Sequence, residues 1–405
     1  MLLLLLLTAG VARAENLTIV QASDLHYLSP ELVQDEAFFL RVMENADGKL
    51  THYSPQIARA FVDEMIALRP DAVILSGDLT LNGAFASHEG LIAELRRLQQ
   101  AGVPVLALPG NHDCTGEAYL FTSEGAQLIE GMQDEEFIAA YGEFGYQDAR
   151  SRDEVSFSYV YELSPTLWAV LLDTNANYTY NTVRSETLAW LEEQLREAQQ
   201  AGAQVISVTH QNLLIHHRHF TFGYQINNAS AVLRLYAQYG VRLNLGGHLH
   251  LQHIAEKDGF TDIATSALSV HPNQYAVLTW DGASLRYATR PLDVAAWAIA
   301  NGIEDPHLLD FAAYSQAFFD NNTRIKQLMN VTTAPVGAEI RQQMLDYAIE
   351  LNRRIFAGTV AECENNEALA LWQQYLPNAF FTPYMQTVVE ENTRDMNRFE
   401  LRLAE

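Results

Sequence analysis

The chain has 405 residues, 48% of them hydrophobic and 19% charged, which excludes a disordered polymer and leaves room for one large domain and a smaller one. Its 50 acidic residues against 25 basic ones give a formal charge of −25. A chain of that sign repels polyanions, so no nucleic-acid polymer is expected as a partner. An anionic substrate would then need a local source of positive charge, such as bound metal.

The N-terminus reads MLLLLLLTAGVARAEN. The leucine run is shorter than the about 20 apolar residues needed to span a bilayer. It fits the core of a secretory signal, and Ala12-Arg13-Ala14 fits a small-x-small cleavage site, so residues 1–14 are expected to be removed on export. No Lys or Arg precedes the leucines, which departs from such signals; the alternative is a buried N-terminal segment. The expected location is periplasmic or extracellular, with no membrane span left after removal of the signal. Five Asn-x-Ser/Thr sites, at Asn16, Asn177, Asn228, Asn321 and Asn330, matter only in a source that glycosylates. Two cysteines, Cys114 and Cys363, are too few for a disulfide scaffold. In an exported chain they either pair or stand as separate thiols.

From residue 17 apolar strands alternate with amphipathic helices. LTIVQASD starts as a strand. SPQIARAFVDEMIALRP reads as a helix with Ser54 as N-cap, Pro55 in its first turn and Pro70 as its stop. DAVILSGD is a strand, HEGLIAELRRLQQAG a helix closed by Gly102, and VPVLALPGNHD a strand. Residues 114–155 form an insertion, expected to be helical around DEEFIAAYGEFGY. VSFSYVYEL alternates as a half-exposed strand, and TLWAVLLDTN is a buried one. SETLAWLEEQLREAQQAG is a helix with Ser185 as N-cap, AQVISVTH a strand, SAVLRLYAQYG a helix and LNLGGHLH a strand end. Strands continue through YAVLTWDG and SLRYATRP. The apolar runs suit sheets covered on both faces. After about Asp293 the spacing is helical. The expected division is residues 1–14 as signal, 15–292 as an α/β domain and 293–405 as a helical region. That region either caps a cleft, forms a dimer contact or covers the sheet.

Five strands end in turns that present a carboxylate, imidazole or amide: Asp24 and His26; Asp78; Asn111, His112 and Asp113; His210; His248 and His250. Ligands of open α/β sheets gather at the carboxyl ends of strands, so these residues are able to converge. Carboxylates and imidazoles without thiolate suit Mn, Fe, Zn or similar divalent ions, and seven candidate ligands with one shared Asp would supply four to each of two ions. Two ions about 3.5–4 Å apart can clamp an in-line displacement at phosphorus. Gly77, Gly110 and Gly247 permit sharp turns and close backbone approach beside the ligands.

Asp24-Leu25-His26, Gly77-Asp78 with Gly83, Gly110-Asn111-His112-Asp113, His210 and Gly247-His248-Leu249-His250 occur in the order that resembles the calcineurin-like metallophosphoesterase superfamily. The resemblance covers roughly residues 17–290. It implies a four-layer αββα sandwich over a dinuclear centre. One ion would take Asp24, His26 and His250, the other Asn111, His210 and His248, with Asp78 bridging them. A bridging hydroxide would attack phosphorus, His112 would protonate the leaving oxygen or steady the transition state, and Asp113 would orient His112. Leu81 stands where purple acid phosphatases carry a Tyr, and GDLTLNG departs from the protein serine/threonine phosphatase pattern. The set is most similar to class III cyclic nucleotide phosphodiesterases and to exported sphingomyelinase-like enzymes. The expected substrate is therefore a small phosphodiester. A phosphomonoesterase or nucleotidase on the same centre and a non-catalytic binding protein are the alternatives.

Among the remaining candidates, His216, His217, Arg218 and His219 either contact the substrate or form a rim loop. His52, His88 and His253 read as structural. Asp173 reads as fixing a loop through a hydrogen bond.

Overall fold

The computed structural model describes residues 16–176, 179–363 and 367–403. The expected signal at residues 1–14 and the glycosylation site at Asn177 lie outside them. In chain order the first half contains β1 (Leu17–Ala22), α1 (Glu36–Glu44), α2 (Ser54–Leu68), β2 (Ala72–Ser76), α3 (Phe85–Gln100) and β3 (Val105–Leu108). There follow β4 (Glu117–Thr122), β5 (Gly125–Glu130), α4 (Asp134–Tyr141), β6 (Ser151–Arg152), β7 (Tyr159–Ser164) and β8 (Leu167–Leu171). Next come α5 (Ser185–Ala201), β9 (Gln204–Val208), α6 (Ala229–Tyr239), β10 (Leu243–Gly246), β11 (His253–Lys257), β12 (Phe260–Ala264), β13 (Gln274–Trp280) and β14 (Ser284–Pro291). The C-terminal part holds α7 (Val294–Ala300), α8 (Pro306–Leu309), α9 (Phe311–Thr332), α10 (Ala338–Ala357), α11 (Glu367–Tyr375), α12 (Phe381–Glu391) and a last strand, β15 (Arg398–Arg402).

Two sheets carry the fold. One has the order β15-β14-β13-β1-β2-β3 and the other β11-β12-β10-β9-β8-β7-β6. Within each, the strands that end at candidate ligands run parallel: β1 with β2 with β3, and β9 with β10. Their apolar residues, such as Leu75, Leu106, Val208 and Leu245, are wholly buried in one core between the sheets. α2 and α3 cover the outside of the first sheet; α5 and α6 cover the second, through Leu191, Leu195 and Val232. This is the four-layer αββα sandwich, and it brings the carboxyl ends of five parallel strands to one edge.

Local signals explain the boundaries. α2 has Pro55 in its first turn and ends at Arg69, whose left-handed φ of 52° precedes Pro70. Ser54 is the first helical residue rather than the cap. Its hydroxyl donates to Thr51 O at 2.8 Å and accepts from Leu28 N at 2.9 Å, which ties the helix to the β1 loop. Ser185 likewise falls inside α5, behind Arg184.

The insertion after Cys114 is helical only in part. A β4–β5 hairpin precedes α4, and it pairs Phe121 with Ala126 and Tyr119 with Leu128 across a tight turn. The end of the chain is not wholly helical either: β15 returns to pair with β14, with Phe399 opposite Tyr287. Cys114 and Cys363 are not joined to each other by a disulfide. Helices α9 to α12 build their own core around Met344, Leu351, Trp372 and Met385, and this core includes Leu249 and Leu251.

His88 on α3 is structural. It is fully buried, with Nδ1 at 2.9 Å from Tyr141 Oη and Nε2 at 3.0 Å from Asp113 O. Burial pushes its pKa down to about 4, against the opposing pull of the Asp113 carbonyl. The fold therefore holds His88 neutral while the unfolded chain protonates it below about 6.5. Between those values the unfolded state binds more protons, so stability falls as pH falls. Denaturant melts of wild type and His88→Gln should show this in their difference. The wild-type advantage should shrink as pH drops from about 6.5 to 4, by an amount on the order of 3 kcal/mol.

Candidate metal centre

The site is built on strained loop backbone. Asp24, His26, Asp78, His248 and His250 have φ values between 45° and 66°. The left-handed region costs a side-chain-bearing residue about 1–2 kcal/mol. Such strain persists only where surrounding structure over-determines it. Here Asp24 N donates to Gly77 O at 3.1 Å, His26 N to Asp78 O at 3.0 Å and Gly247 N to His210 O at 3.0 Å. Ser269 Oγ donates to Asp24 O at 2.7 Å. Glycines beside the ligands are sterically required, Gly77 against the His210 ring among them. A Cβ on Gly110 would overlap Asp78 Oδ1 and stand 2.8 Å from His210 Nε2; one on Gly247 would overlap Ser23 Oγ and stand 2.6 Å from Asp24 Oδ2.

The side chains fall into two groups sharing one residue. Asp24, His26, Asp78 and His250 place ligand atoms within 4.8 Å of one another, and so do Asp78, His210 and His248. In the first group His26 Nε2 and His250 Nε2 face each other at 3.1 Å, with Asp24 Oδ1 3.3 Å from His250 Nε2. In the second, His210 Nε2 lies 3.2 Å from both Asp78 Oδ1 and Asn111 Oδ1. Asp78 turns Oδ2 to the first group, 3.7 Å from His26 Nε2, and Oδ1 to the second. All seven sequence-predicted ligands are thus brought together.

The donor set fits divalent metal. Asp24 Oδ1 and His26 Nδ1 are buried without a hydrogen-bond partner, an arrangement that is costly unless a cation answers the carboxylate. The histidine tautomers point the same way, because a carbonyl oxygen only accepts. His210 Nδ1 donates to Ser76 O at 2.9 Å and His248 Nε2 to Gly223 O at 2.9 Å, which makes His210 Nε2 and His248 Nδ1 the ring atoms able to ligate once they carry no proton. Burial lowers His26 well below its ordinary range, so it is neutral, the form that binds metal. Burial opposes charge on His210 and His250 as well, but Asp78 and Asp24 respectively outweigh it and raise both to about 9. Burial would raise the two carboxylates, yet the histidines hold Asp24 and Asp78 below the usual range.

Three surrounding residues have no motif in the sequence. Asp47 Oδ2 accepts from His250 Nδ1 at 3.3 Å and lies 3.4 Å from Lys49 Nζ. A carboxylate behind a ligating histidine fixes its ring and raises its basicity. Burial would raise Asp47, but the bond to His250 holds its pKa far below the ordinary value. Gln211 Nε2 bridges Asn175 Oδ1 at 2.9 Å and Asn111 Oδ1 at 3.5 Å, which orients the Asn111 amide.

One expectation needs correction, and one open alternative is narrowed. Asp113 does not orient His112. Its carboxylate is saturated by Leu79 N, Thr80 N, Thr80 Oγ1 and Gly110 N at 2.8–3.0 Å, and so braces the Asp78 loop against the β3 turn. His112 is held instead by Leu81 O, 2.7 Å from Nδ1. Nor do the histidines after His210 gather at the ligands. His216 is buried against His253, Nδ1 to Nδ1 at 3.0 Å, and His217 stacks near Tyr384. Arg218 pairs with Glu390 and Glu391. His52 meets Tyr314 Oη at 2.7 Å, and Asp173 accepts from Phe157 N, Asn175 N and Ala176 N, so both are structural as expected.

Two cavities open on the centre and meet at His248. The first, of about 480 Å³, is lined by Asn111, Asn175, Asn181, Gln211, Asn227 and Phe157, with Tyr180 and Phe222 at its rim. The second, of about 260 Å³, runs past His248 and His250 beneath α9 and α12.

Comparison with known proteins places this geometry. The calcineurin-like phosphoesterase family matches residues 17–252, and the C-terminal domain of cyclic nucleotide phosphodiesterase matches residues 293–395. No curated protein sequence matches the chain. Among solved structures, a dimetal phosphatase from Danio rerio is similar at 15% identity, covering 68% of this chain and 96% of that one, with a TM-score of 0.49. GAP50 of Plasmodium, described as the anchor in the inner membrane complex, is similar at 11% identity over 68% of this chain and 84% of that one, with a TM-score of 0.40. A phosphopantetheinyl hydrolase from Mycobacterium tuberculosis shares 16% identity over 62% and 89% of the two chains, with a TM-score of 0.32.

Asp47 offers the sharpest check of the geometry. Asp47→Ala should keep the fold yet lower metal affinity or turnover by roughly 10–100-fold. Metal titration and thermal melting of the variant beside wild type would show both; unchanged affinity would remove Asp47 from the centre.

Proposed function

We propose that this chain, which belongs to the calcineurin-like phosphoesterase family and carries a two-ion centre, is an exported phosphodiesterase acting on small nucleotide diesters, with cyclic nucleotides as the nearest class. The observation that carries the reading is the first cavity. It opens directly on Asn111 and His248, and its walls are amide and aromatic, with neither Lys nor Arg among the described lining residues. A phosphodiester is a monoanion, whereas a phosphomonoester approaches a dianion above pH about 6. A cavity without cationic side chains suits the former. Amides offer paired donors and acceptors to the edge of a base, and Tyr180 and Phe222, 78% and 92% exposed, offer faces to stack on. The match of residues 293–395 to the C-terminal domain of cyclic nucleotide phosphodiesterase supports the same class.

In this reading Asp24, His26 and His250 would hold one ion, Asn111, His210 and His248 the other, and Asp78 would be shared. Bound divalent ions, of which Mn, Fe and Zn suit these ligands, supply Lewis-acid charge at the phosphoryl oxygens and activate the attacking water. The protein supplies the rest. Rigid loops fix the ligands, and Asn111, clamped by Gln211, keeps its oxygen turned to the centre. His112 moves the proton. Its Nδ1–H is committed to Leu81 O, so Nε2, 3.9 Å from Asp78 Oδ2, is the atom that carries a proton to the leaving oxygen. The ring is 37% exposed and so within reach of substrate. Asp113 acts at one remove, by holding the Asp78 and Gly110 turns together.

Export rests on the leucine run and Ala12-Arg13-Ala14. Among the described residues no helix is long and apolar enough to cross a membrane. N-terminal sequencing of the exported protein should begin near Glu15; a retained leader would overturn this part.

The chemistry is tested by leaving-group dependence. His112→Gln should retain its metal and lose about 10²–10⁴-fold in turnover of cyclic nucleotides, whose alkoxide needs a proton. It should lose far less with p-nitrophenyl diesters, whose leaving group does not. Equal losses on both would remove His112 from the acid role. Chelation should abolish all turnover. Faster hydrolysis of p-nitrophenyl phosphate than of the bis ester would favour the monoesterase reading.

A further inference from the structure

The second cavity has no task in hydrolysis of a cyclic nucleotide, whose two ester oxygens belong to one sugar. We infer that it is a subsite for the second arm of a linear phosphodiester, and that this arm is apolar. The inference rests on the phosphodiesterase reading and adds a substrate class to it.

The cavity is continuous with the centre, since His248 and His250 form part of its wall. The opposite wall comes from the C-terminal helices, with Phe319, Phe356, Phe380, Phe381 and Tyr384 facing it. Two of its amide side chains are already engaged. Asn322 Nδ2 donates to Glu44 O and Ala46 O, and Asn352 lies between Thr323 Oγ1 and Tyr384 Oη. Its volume of about 260 Å³ falls below the ~300–1,000 Å³ of whole-ligand pockets, which suits one aryl ring or a short alkyl chain rather than a second nucleotide.

Charge favours the same occupant. Lys326 on α9 lines the cavity with Asp47 and His250, and among the described residues it forms no ion pair. Asp47 meets Lys49 and His250 and also attracts Lys326 across the cavity, without a direct ion pair between them. In a chain of net charge −25, an unpaired ammonium beside the centre favours a phosphoryl oxygen there. The phosphate thus sits at the centre with its polar arm in the amide-lined cavity and its apolar arm under α9 and α12. Hydrolysis adds water oxygen to phosphorus, breaks one P–O ester bond, passes a proton to the departing oxygen where needed, and leaves a phosphomonoester and an alcohol.

The test compares methyl p-nitrophenyl phosphate with phenyl p-nitrophenyl phosphate, which release the same p-nitrophenolate. Metal-loaded wild type should favour the phenyl compound by about 10-fold or more in kcat/KM, carried by KM. Phe380→Ala and Lys326→Ala alter exposed positions and should fold. Phe380→Ala should bring the phenyl-to-methyl ratio close to 1. Lys326→Ala should raise KM for both compounds and weaken its dependence on salt. A ratio near 1 in wild type that still hydrolyses cyclic nucleotide overturns this inference alone. So does a ratio that survives Phe380→Ala but collapses in Phe222→Ala, which would seat the ring in the first cavity. Turnover of neither diesters nor cyclic nucleotide would overturn the phosphodiesterase reading beneath it.

Discussion

One carboxylate organises this protein. Asp78 faces both ligand groups, one oxygen to each, and every other feature of the site serves to keep it there. Its backbone is left-handed, its carbonyl is tied to His26 N, and its Oδ1 accepts from His112 N at 3.0 Å. Two sheets are needed because Asp78 ends a strand of one and its partners His210 and His248 follow strands of the other. Carboxylates this deep require a compensating charge. Protons on His210 and His250 provide it without metal, and since ligation needs neutral rings, loading the centre exchanges those protons for ions.

The C-terminal helices do more than cover the sandwich. α9 and α12 wall one side of the centre, while the α/β domain alone forms the amide-lined cavity on the other. The division is chemical as well as spatial. Amides and exposed aromatic rims lie on the first side, and buried aromatic faces with the Lys326 ammonium on the second. On the proposed reading, a substrate lying across both cavities would be oriented before its phosphorus reaches the centre, which is how binding energy remote from the reacting atoms contributes to rate.

Much of this was legible in the sequence because the strand ends announce themselves. An apolar run that stops at Ser-Asp-x-His, Gly-Asp, Gly-Asn-His-Asp, Thr-His or Gly-Gly-His-x-His offers no packing reason for its polar residues, and five such stops in one chain leave convergence as the physical account. Other features were silent for equally physical reasons. Asp47 lies in a loop after α1, more than 200 positions from the histidine it supports, and no local pattern reports a contact of that range. The β4–β5 hairpin lacks a clean alternation because only Ala118, Phe121 and Thr122 of β4 are buried. The last strand pairs at an edge with alternate residues exposed, so it carries little apolar signal. Asp113 was misread because proximity in sequence to His112 says nothing of the four donors that turn its carboxylate the other way.

The loop after β10 alternates two kinds of residue. His248 and His250 belong to the centre, while Leu249 and Leu251 are buried in the core of the C-terminal helices. One short stretch of backbone, left-handed at His248 and His250, therefore carries contacts to both. By linkage, whatever free energy the helices gain from an ordered loop, the ions gain from docked helices. A loop shared in this way would let metal binding in the interior stabilise the docking of the C-terminal helices, although among the described residues those helices contribute no ligand.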